Sequence, residues 1–360
     1  MNSLSLYHYL ILFGAGLALS LSLTPLVRSL AHATGQVAVP RDTRWHKKET
    51  ALLGGVAIFV AFAGVWSGAV LVLGWEPFGK PLLPILLCGS GVFVLGLVDD
   101  IKSLVPQHKL AVQIVIVAVF MTFGFRLDWT VSRTADLFLS ILWVVGITNA
   151  FNLLDNMDGL AAGVAFIAGV FLFLTGYMNP AIMPLTVPLL ILCSVYLGVL
   201  LGFLVYNFNP ASIFMGDAGS LFLGFMMASM TMVGGADDSV GYGVGKLLSV
   251  IAIPILILFI PILDTGFVSF MRKVFRRPIS QGGRDHSSHR MVAIGFSERM
   301  AVLVLYGFSV ASGIIAIAVQ TASIGITLVL ILFYLLFVVF FWIYLARVKV
   351  YEGESVLTDN

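Results

Sequence analysis

Residues 82–102 read LLPILLCGSGVFVLGLVDDIK. The run from Leu82 to Val98 carries no charge. At about 1.5 Å per residue, a helix over it nearly matches the roughly 30 Å hydrocarbon core of a bilayer. Asp99 and Asp100 follow at once. Ionised side chains at membrane depth are costly, so they pair, bind a metal or take part in chemistry. The stretch therefore predicts a transmembrane helix with a paired acid at one end.

The same pattern recurs along the chain. Apolar runs predict spans over 7–27, 53–74, 82–98, 109–125, 135–151, 159–177, 184–206, 218–235, 246–270, 299–319 and 322–345. Of the 360 residues 59% are hydrophobic and 11% charged, more apolar side chain than a water-soluble core of this size can bury. The fold class expected is an all-α polytopic integral membrane protein of about eleven transmembrane helices. Residues 1–360 form a single domain, because no gap between spans holds a soluble one. The N-terminal run has no Lys or Arg before it and leads into further spans, so it reads as a first helix rather than a cleaved signal peptide. Cys88 and Cys193 lie inside apolar runs and read as small packing residues, with neither a disulfide framework nor zinc spacing.

Charge placement predicts orientation. With eleven spans, sixteen of the twenty Lys and Arg fall on one side, including Arg41, Lys48, Lys109, Arg284 and Arg290; Lys80, Arg126, Arg133 and Lys246 fall on the other. The positive-inside rule then puts the N-terminus outside and the C-terminus in the cytoplasm. Asp99, Asp100, Asp155, Asp158, Asp217, Asp264 and Asp285 all border the cytoplasmic face. Seven acids gathered there resemble a divalent-metal site.

Each cluster has two readings. The Asp99-Asp100 pair either needs a cation to offset its repulsion or simply ends a span in solvent. In Asn149-Ala150-Phe151-Asn152-Leu153-Leu154-Asp155-Asn156-Met157-Asp158-Gly159 the acids are three apart, so on a helical turn they share a face; Asn149 and Asn152 have the same spacing and offer amides to a nucleotide or sugar. The alternative is a polar loop between spans. In Phe214-Met215-Gly216-Asp217-Ala218-Gly219-Ser220 the glycines allow close backbone approach, and Asp217 is either a metal ligand or an N-cap. The loop from Arg272 to Arg290 carries arginines suited to phosphate, with His286 and His289 beside them. A His-x-x-His pair also suits zinc, though no third ligand stands nearby. Asp264 is a functional acid or a partner for a neighbouring helix.

Taken together, Pro40 to His46 with Gly54-Gly55, Val98-Asp99-Asp100, Asn149 to Gly159, Phe214 to Ser220 and Asp285-His286 to His289-Arg290 resemble the polyprenyl-phosphate N-acetylhexosamine-1-phosphate transferases, in the family's motif order. The likeness is closest to the branch using UDP-N-acetylglucosamine (the WecA and TagO type). It implies that a polyprenyl phosphate such as undecaprenyl phosphate attacks the β-phosphorus of a UDP-sugar, with Mg²⁺ required and Mn²⁺ a substitute. It implies catalytic roles for Asp99, Asp100, Asp155 and Asp158, with Asp99 the base for the lipid phosphate. Metal ligation falls to Asp217 and Asn152, and substrate contacts to Lys48, Asn149, Asn152, Arg284, His286 and His289. The active site is then built from loops 28–52, 99–109, 149–159, 207–220 and 271–298. The setting implied is the cytoplasmic face of the plasma (inner) membrane, with a homodimer as one assembly. The chain departs from the pattern at Ala38, where the family often has Asp, and at His286-Ser287-Ser288-His289, where the branch has His-x-His-His. The sister branch using UDP-N-acetylmuramoyl-pentapeptide carries three consecutive histidines here, which favours N-acetylglucosamine.

An ion-coupled transporter is the rival class. It calls for acids near the bilayer midplane in two repeated halves, whereas these lie at one interface without a repeat. No nucleic-acid signature is present.

Overall fold

The computed structural model describes residues 5–38, 49–74, 80–178, 186–232, 244–278, 283, 285–348 and 350. Lys48, Arg284 and the stretch Pro40 to His46 lie outside the described residues. In chain order the elements are α1 (Leu6–Ala33), β1 (Val37–Ala38), β2 (Thr50–Ala51), α2 (Gly54–Leu73), α3 (Lys80–Lys102), α4 (Pro106–Thr122) and α5 (Arg133–Leu154). They continue with α6 (Leu160–Met178), α7 (Thr186–Asn207), α8 (Gly216–Met232), α9 (Val244–Ile257) and α10 (Phe259–Val274). The last are α11 (Ser287–Ala293), α12 (Glu298–Thr321) and α13 (Ile324–Ala346).

Among the described residues, 8 helices are long and apolar enough to cross a membrane, or up to 9 spans if a bent pair counts as one. This is an all-α, multi-pass membrane protein. Every expected span falls on a helix or on that bent pair, but by length the described residues do not reach the expected eleven. Helix α4 has 17 residues and stops before Gly124 at φ +93°; α8 also has 17, and its expected continuation past Met232 lies outside the described residues.

The ninth span, expected over 246–270, is broken at Leu258, where Val250–Ile257 and Phe259–Val274 meet at 72°. Proline explains the break. Pro261 has no N–H to give the Ile257 carbonyl, and Pro254 already weakens the preceding turn. The ribbon was not expected from the sequence. Strands β1 and β2 pair antiparallel, and Ala51 bridges to Ile213. Phe214 N–H donates to the Ala51 carbonyl at 2.8 Å, and the N–H groups of Gly54 and Gly55 donate to Phe214 and Met215. The start of α2 is thereby laced to the segment leading into α8.

Helix α8 is the axis of the molecule. It is apolar all round, as a fully enclosed helix must be, and Ala218 to Met232 are buried throughout. Helices α2, α3 and α5 pack against it. Glycine permits the closest approaches: a Cβ on Gly55 would lie 2.2 Å from the Gly219 nitrogen, and one on Gly96 would lie 2.4 Å from the Asp217 carbonyl oxygen. Helix α13 is the opposite case. It buries only Thr327, Tyr334, Val338 and Leu345, and turns Phe333, Phe337 and Phe340 outward to lipid.

Gly55→Ala should therefore destabilise the fold rather than the chemistry alone. Overpacking costs about 1–3 kcal/mol, and here the obstacle is backbone that cannot rotate away. Thermal unfolding in detergent should show a fall of several degrees; an unchanged transition would mean that α2 and α8 part easily.

Candidate active site

The site forms where the ends of α3, α4, α5 and α8 meet. Asp99 and Asp100 occupy the last turn of α3, before the turn that leads to Pro106 and α4. Asp99 accepts the Leu104 N–H at 2.6 Å, which closes that turn. Lys109, one turn into α4, places its ammonium 2.8 Å from Asp99 and also in contact with Asp217. The sequence pointed to Lys109 only as positive-inside charge. Its signal was its place in the helix returning from an acid pair, where a cation meets the carboxylates.

Asp100 turns the other way. Its two oxygens accept the N–H groups of Asp217 and Ala218, at 2.8 and 2.9 Å. These are unsatisfied donors at the positive end of α8, so a carboxylate there is stabilised by hydrogen bonds and by the helix dipole. The N-capping considered for Asp217 is thus supplied by Asp100, from another helix. Gly216 lets the two meet. It has φ +67°, and a Cβ would come within 2.7 Å of the Asp100 carboxylate.

Freed from capping, Asp217 faces the site. Asn152 Nδ2 donates to it at 2.9 Å and to Ser220 Oγ at 2.9 Å. Asn149 sits one turn deeper, where its amide donates to Gln113 and to the Val145 carbonyl. Asn152, rather than Asn149, joins the acids. The helical-face expectation for Asp155 and Asp158 fails, because α5 ends at Leu154. Asp155 is its C-cap, and the chain turns through Gly159 at φ +76°. Asp158 then accepts the Ala211 N–H at 2.8 Å and Asn209 Nδ2 at 3.2 Å, bracing the loop before α8.

Asp264 and Asp285 stand apart from these five acids, contrary to a single seven-acid cluster. Asp264 is bound by His286 Nδ1 at 2.7 Å and by the Ser287 N–H and hydroxyl at 2.9 and 2.5 Å. Arg272 grips Asp285 with two bonds of 2.7 and 2.8 Å. Sequence shows charge but not its partner, so pairing of this kind was invisible there. Both acids hold α11 in place. That helix reaches the acid turn through Ser288 Oγ, which donates to Asn156 Oδ1 at 2.7 Å. His286 and His289 are buried, with ring centroids 5.7 Å apart.

Burial, then Asp217, Asp100 and Asp158, push Asp155 up to about 8. Carboxylates so placed compete for protons unless a cation compensates them. No group of three or more His, Cys, Asp or Glu side chains among the described residues is arranged to hold a metal alone. Mg²⁺ needs less, since one or two carboxylates suffice when substrate phosphates complete the sphere. The Asp217 carboxylate is a hard-oxygen donor of that kind, with the Asn152 amide N–H turned toward it, and the Lys109 ammonium already marks the spot as one that takes positive charge.

The model of the family described as "Glycosyl transferase family 4" matches residues 82–235, the segment that contains all five clustered acids. A Bacillus subtilis protein named "Probable undecaprenyl-phosphate N-acetylglucosaminyl 1-phosphate transferase" is 36% identical over 330 residues, covering 88% of this chain and 86% of the relative. The chain belongs to the polyprenyl-phosphate N-acetylhexosamine-1-phosphate transferases. A "Decaprenyl-phosphate N-acetylglucosaminephosphotransferase" of Mycobacterium tuberculosis is 31% identical over 307 residues, covering 78% of this transferase and 74% of the relative. A "Phospho-N-acetylmuramoyl-pentapeptide-transferase" of Shouchella clausii is 32% identical over 260 residues, covering 63% and 74%.

The transferase's acid turn gives a pH prediction. Asp155 has an ordinary value of 3.8 and a folded value of about 8. Between those values the folded state binds the extra proton, so stability must fall as pH rises through the window. In EDTA, the melting temperature in detergent should drop from pH 5.5 to 8.5, and millimolar Mg²⁺ should flatten the drop. A flat profile in EDTA would remove the charge crowding.

Proposed function

We propose that the enzyme transfers N-acetylglucosamine 1-phosphate from UDP-N-acetylglucosamine to undecaprenyl phosphate, giving the lipid diphosphosugar and UMP. An oxygen of the lipid phosphate attacks the β-phosphorus, and the bond from that phosphorus to the bridging oxygen breaks, leaving the electron pair on UMP. The observation carrying this reading is the placement of Asp217, whose backbone is fixed by Asp100 and whose carboxylate meets Lys109 and Asn152. Both reactants are anions, so five clustered acids would repel them without a cation. Asp217 and Asn152 would hold Mg²⁺, or Mn²⁺ in its place, which neutralises the diphosphate and the departing UMP when bound. Asp99 is the base for the lipid phosphate, and Lys109 screens that phosphate as it nears the acids. In this reading His286 and His289, on the helix held by Asp264 and the Asn156–Ser288 bond, contact the diphosphate and sugar of the UDP-sugar.

Phosphoryl transfer depends on positioning and electrostatics, and helix ends and short turns supply both. The eleven-span reading, counting α4 and α8 as spans, puts this end of the bundle in the cytoplasm. There a soluble nucleotide meets a lipid headgroup, at the plasma membrane. In intact cells a cysteine at exposed Gln107 should resist a membrane-impermeant maleimide, while one at exposed Val131 should react. The reverse result overturns the orientation.

One assay tests the reaction. Purified protein with undecaprenyl phosphate, Mg²⁺ and radiolabelled UDP-sugars should put label from UDP-N-acetylglucosamine into lipid. The pentapeptide-transferase relative favours a second reading, in which UDP-N-acetylmuramoyl-pentapeptide is the donor. Labelling from that donor alone would replace the first reading, and labelling from neither would end both.

A further inference from the structure

We propose that Arg290 is a positioning residue for donor binding, fastening the histidine-bearing helix α11 to the carbonyl end of the last span. The inference rests on reading His286 and His289 as contacts to the UDP-sugar.

Arg290 is the bulkiest fully buried side chain described, at 0% exposure. A guanidinium keeps its charge everywhere and is costly to bury unless its donors are met. Its Nε donates to the Asp285 carbonyl at 3.2 Å, and its Nη1 to the carbonyls of Leu345 and Val348 at 3.2 and 2.7 Å. Leu345 lies in the last turn of α13 and Val348 two residues past its end; the Leu345 carbonyl also accepts the Val348 N–H, so Arg290 closes the turn that ends the helix, where the dipole is negative. The Phe267 ring stands 5.3 Å from the guanidinium carbon and adds a cation–π contact. Arg290 thus caps α13 from outside, while its own backbone belongs to α11.

Helix α11 spans only Ser287–Ala293, too short to hold its place alone. Its N-terminal end is tied by Asp264 and by the Arg272–Asp285 pair. Arg290 supplies a tie further along, next to His289. Helix α13 is itself held by α12, where the Tyr334 hydroxyl donates to the Phe308 carbonyl at 3.0 Å, and by Trp342 against Phe267, while most of its remaining surface meets lipid. Its C-terminal end serves as the fixed point from which His289 is set.

The test measures donor and acceptor kinetics in the full-length enzyme, with UDP-N-acetylglucosamine and undecaprenyl phosphate. Arg290→Met keeps bulk but no donors. The KM for the UDP-sugar should rise roughly tenfold, the scale set by losing charge-assisted hydrogen bonds. The KM for the lipid and the kcat per active molecule should stay within about twofold. Arg290→Lys, which reaches one carbonyl with a point charge, should recover most of the loss. Phe267→Leu should raise the same KM by about two- to threefold, and with Arg290→Lys it decides the matter if Arg290→Met fails to fold. A purely structural arginine would lower the melting temperature and the active fraction with KM unchanged, and that result overturns the proposal. His289→Ala separates the two layers. If it raises the UDP-sugar KM while the Arg290 and Phe267 variants do not, the clamp alone fails. If it leaves that KM unchanged, the histidine reading fails and the clamp loses its purpose with it.

Discussion

Asp217→Asn should reduce turnover about a thousandfold while the protein still inserts, folds and melts as the wild type does. The stability half follows from geometry. Asp100 bonds the backbone N–H of residue 217, not its side chain, so the start of α8 stays capped. An asparagine oxygen still accepts the Asn152 amide, and removing one of five crowded acids relieves repulsion. The activity half follows from charge. A carboxamide holds Lys109 and a divalent cation far less strongly than a carboxylate. Metal-type stabilisation of phosphoryl transfer is worth several kcal/mol, and each ~1.4 kcal/mol is a factor of ten in rate. Wild-type enzyme in excess EDTA should be silent as well. Substantial turnover by Asp217→Asn removes Asp217 from the mechanism, and turnover in EDTA removes the metal.

The acids of this site were legible because a charge in an apolar frame has few ordinary explanations. Asp99, Asp100, Asp155 and Asp217 could be picked out residue by residue. Their division of labour could not, because it depends on which helix end each one meets. Asp100 looks identical to Asp99 in sequence, yet one caps α8 and the other pairs with Lys109. The spans were legible for a similar reason, since hydrophobic length is a local property. The break at Leu258 was less so, although Pro254 and Pro261 were both in view. Proline is tolerated in membrane helices when neighbours satisfy the freed carbonyls, so its presence does not say whether a span bends. The short ribbon joining Thr50–Ala51 to Ile213 depends on contacts over 160 residues apart in the chain, beyond what periodicity reveals.

Asp99→Asn should lower kcat by about a hundredfold to ten-thousandfold, the range of general acid–base catalysis, and leave the KM for the UDP-sugar nearly unchanged. Its surroundings make this a clean substitution. An asparagine oxygen can still accept the Leu104 N–H that closes the α3–α4 turn, so what is lost is the negative charge beside Lys109. The competing role is electrostatic. A phosphate monoester with a second pKa near 6 is mostly ionised at neutral pH, and a nucleophile already ionised needs no base. Asp99 would then act by holding Lys109 and sharing the cation with Asp217. The two roles separate over a Mg²⁺ series. If Asp99 serves the metal, its loss weakens affinity for the cation, and raising Mg²⁺ restores kcat. If Asp99 takes the proton, kcat stays low at every Mg²⁺ concentration, and the deficit grows below pH 6, where more of the lipid phosphate carries a proton to be removed. The base assignment predicts the second pattern, and full rescue by metal sinks it.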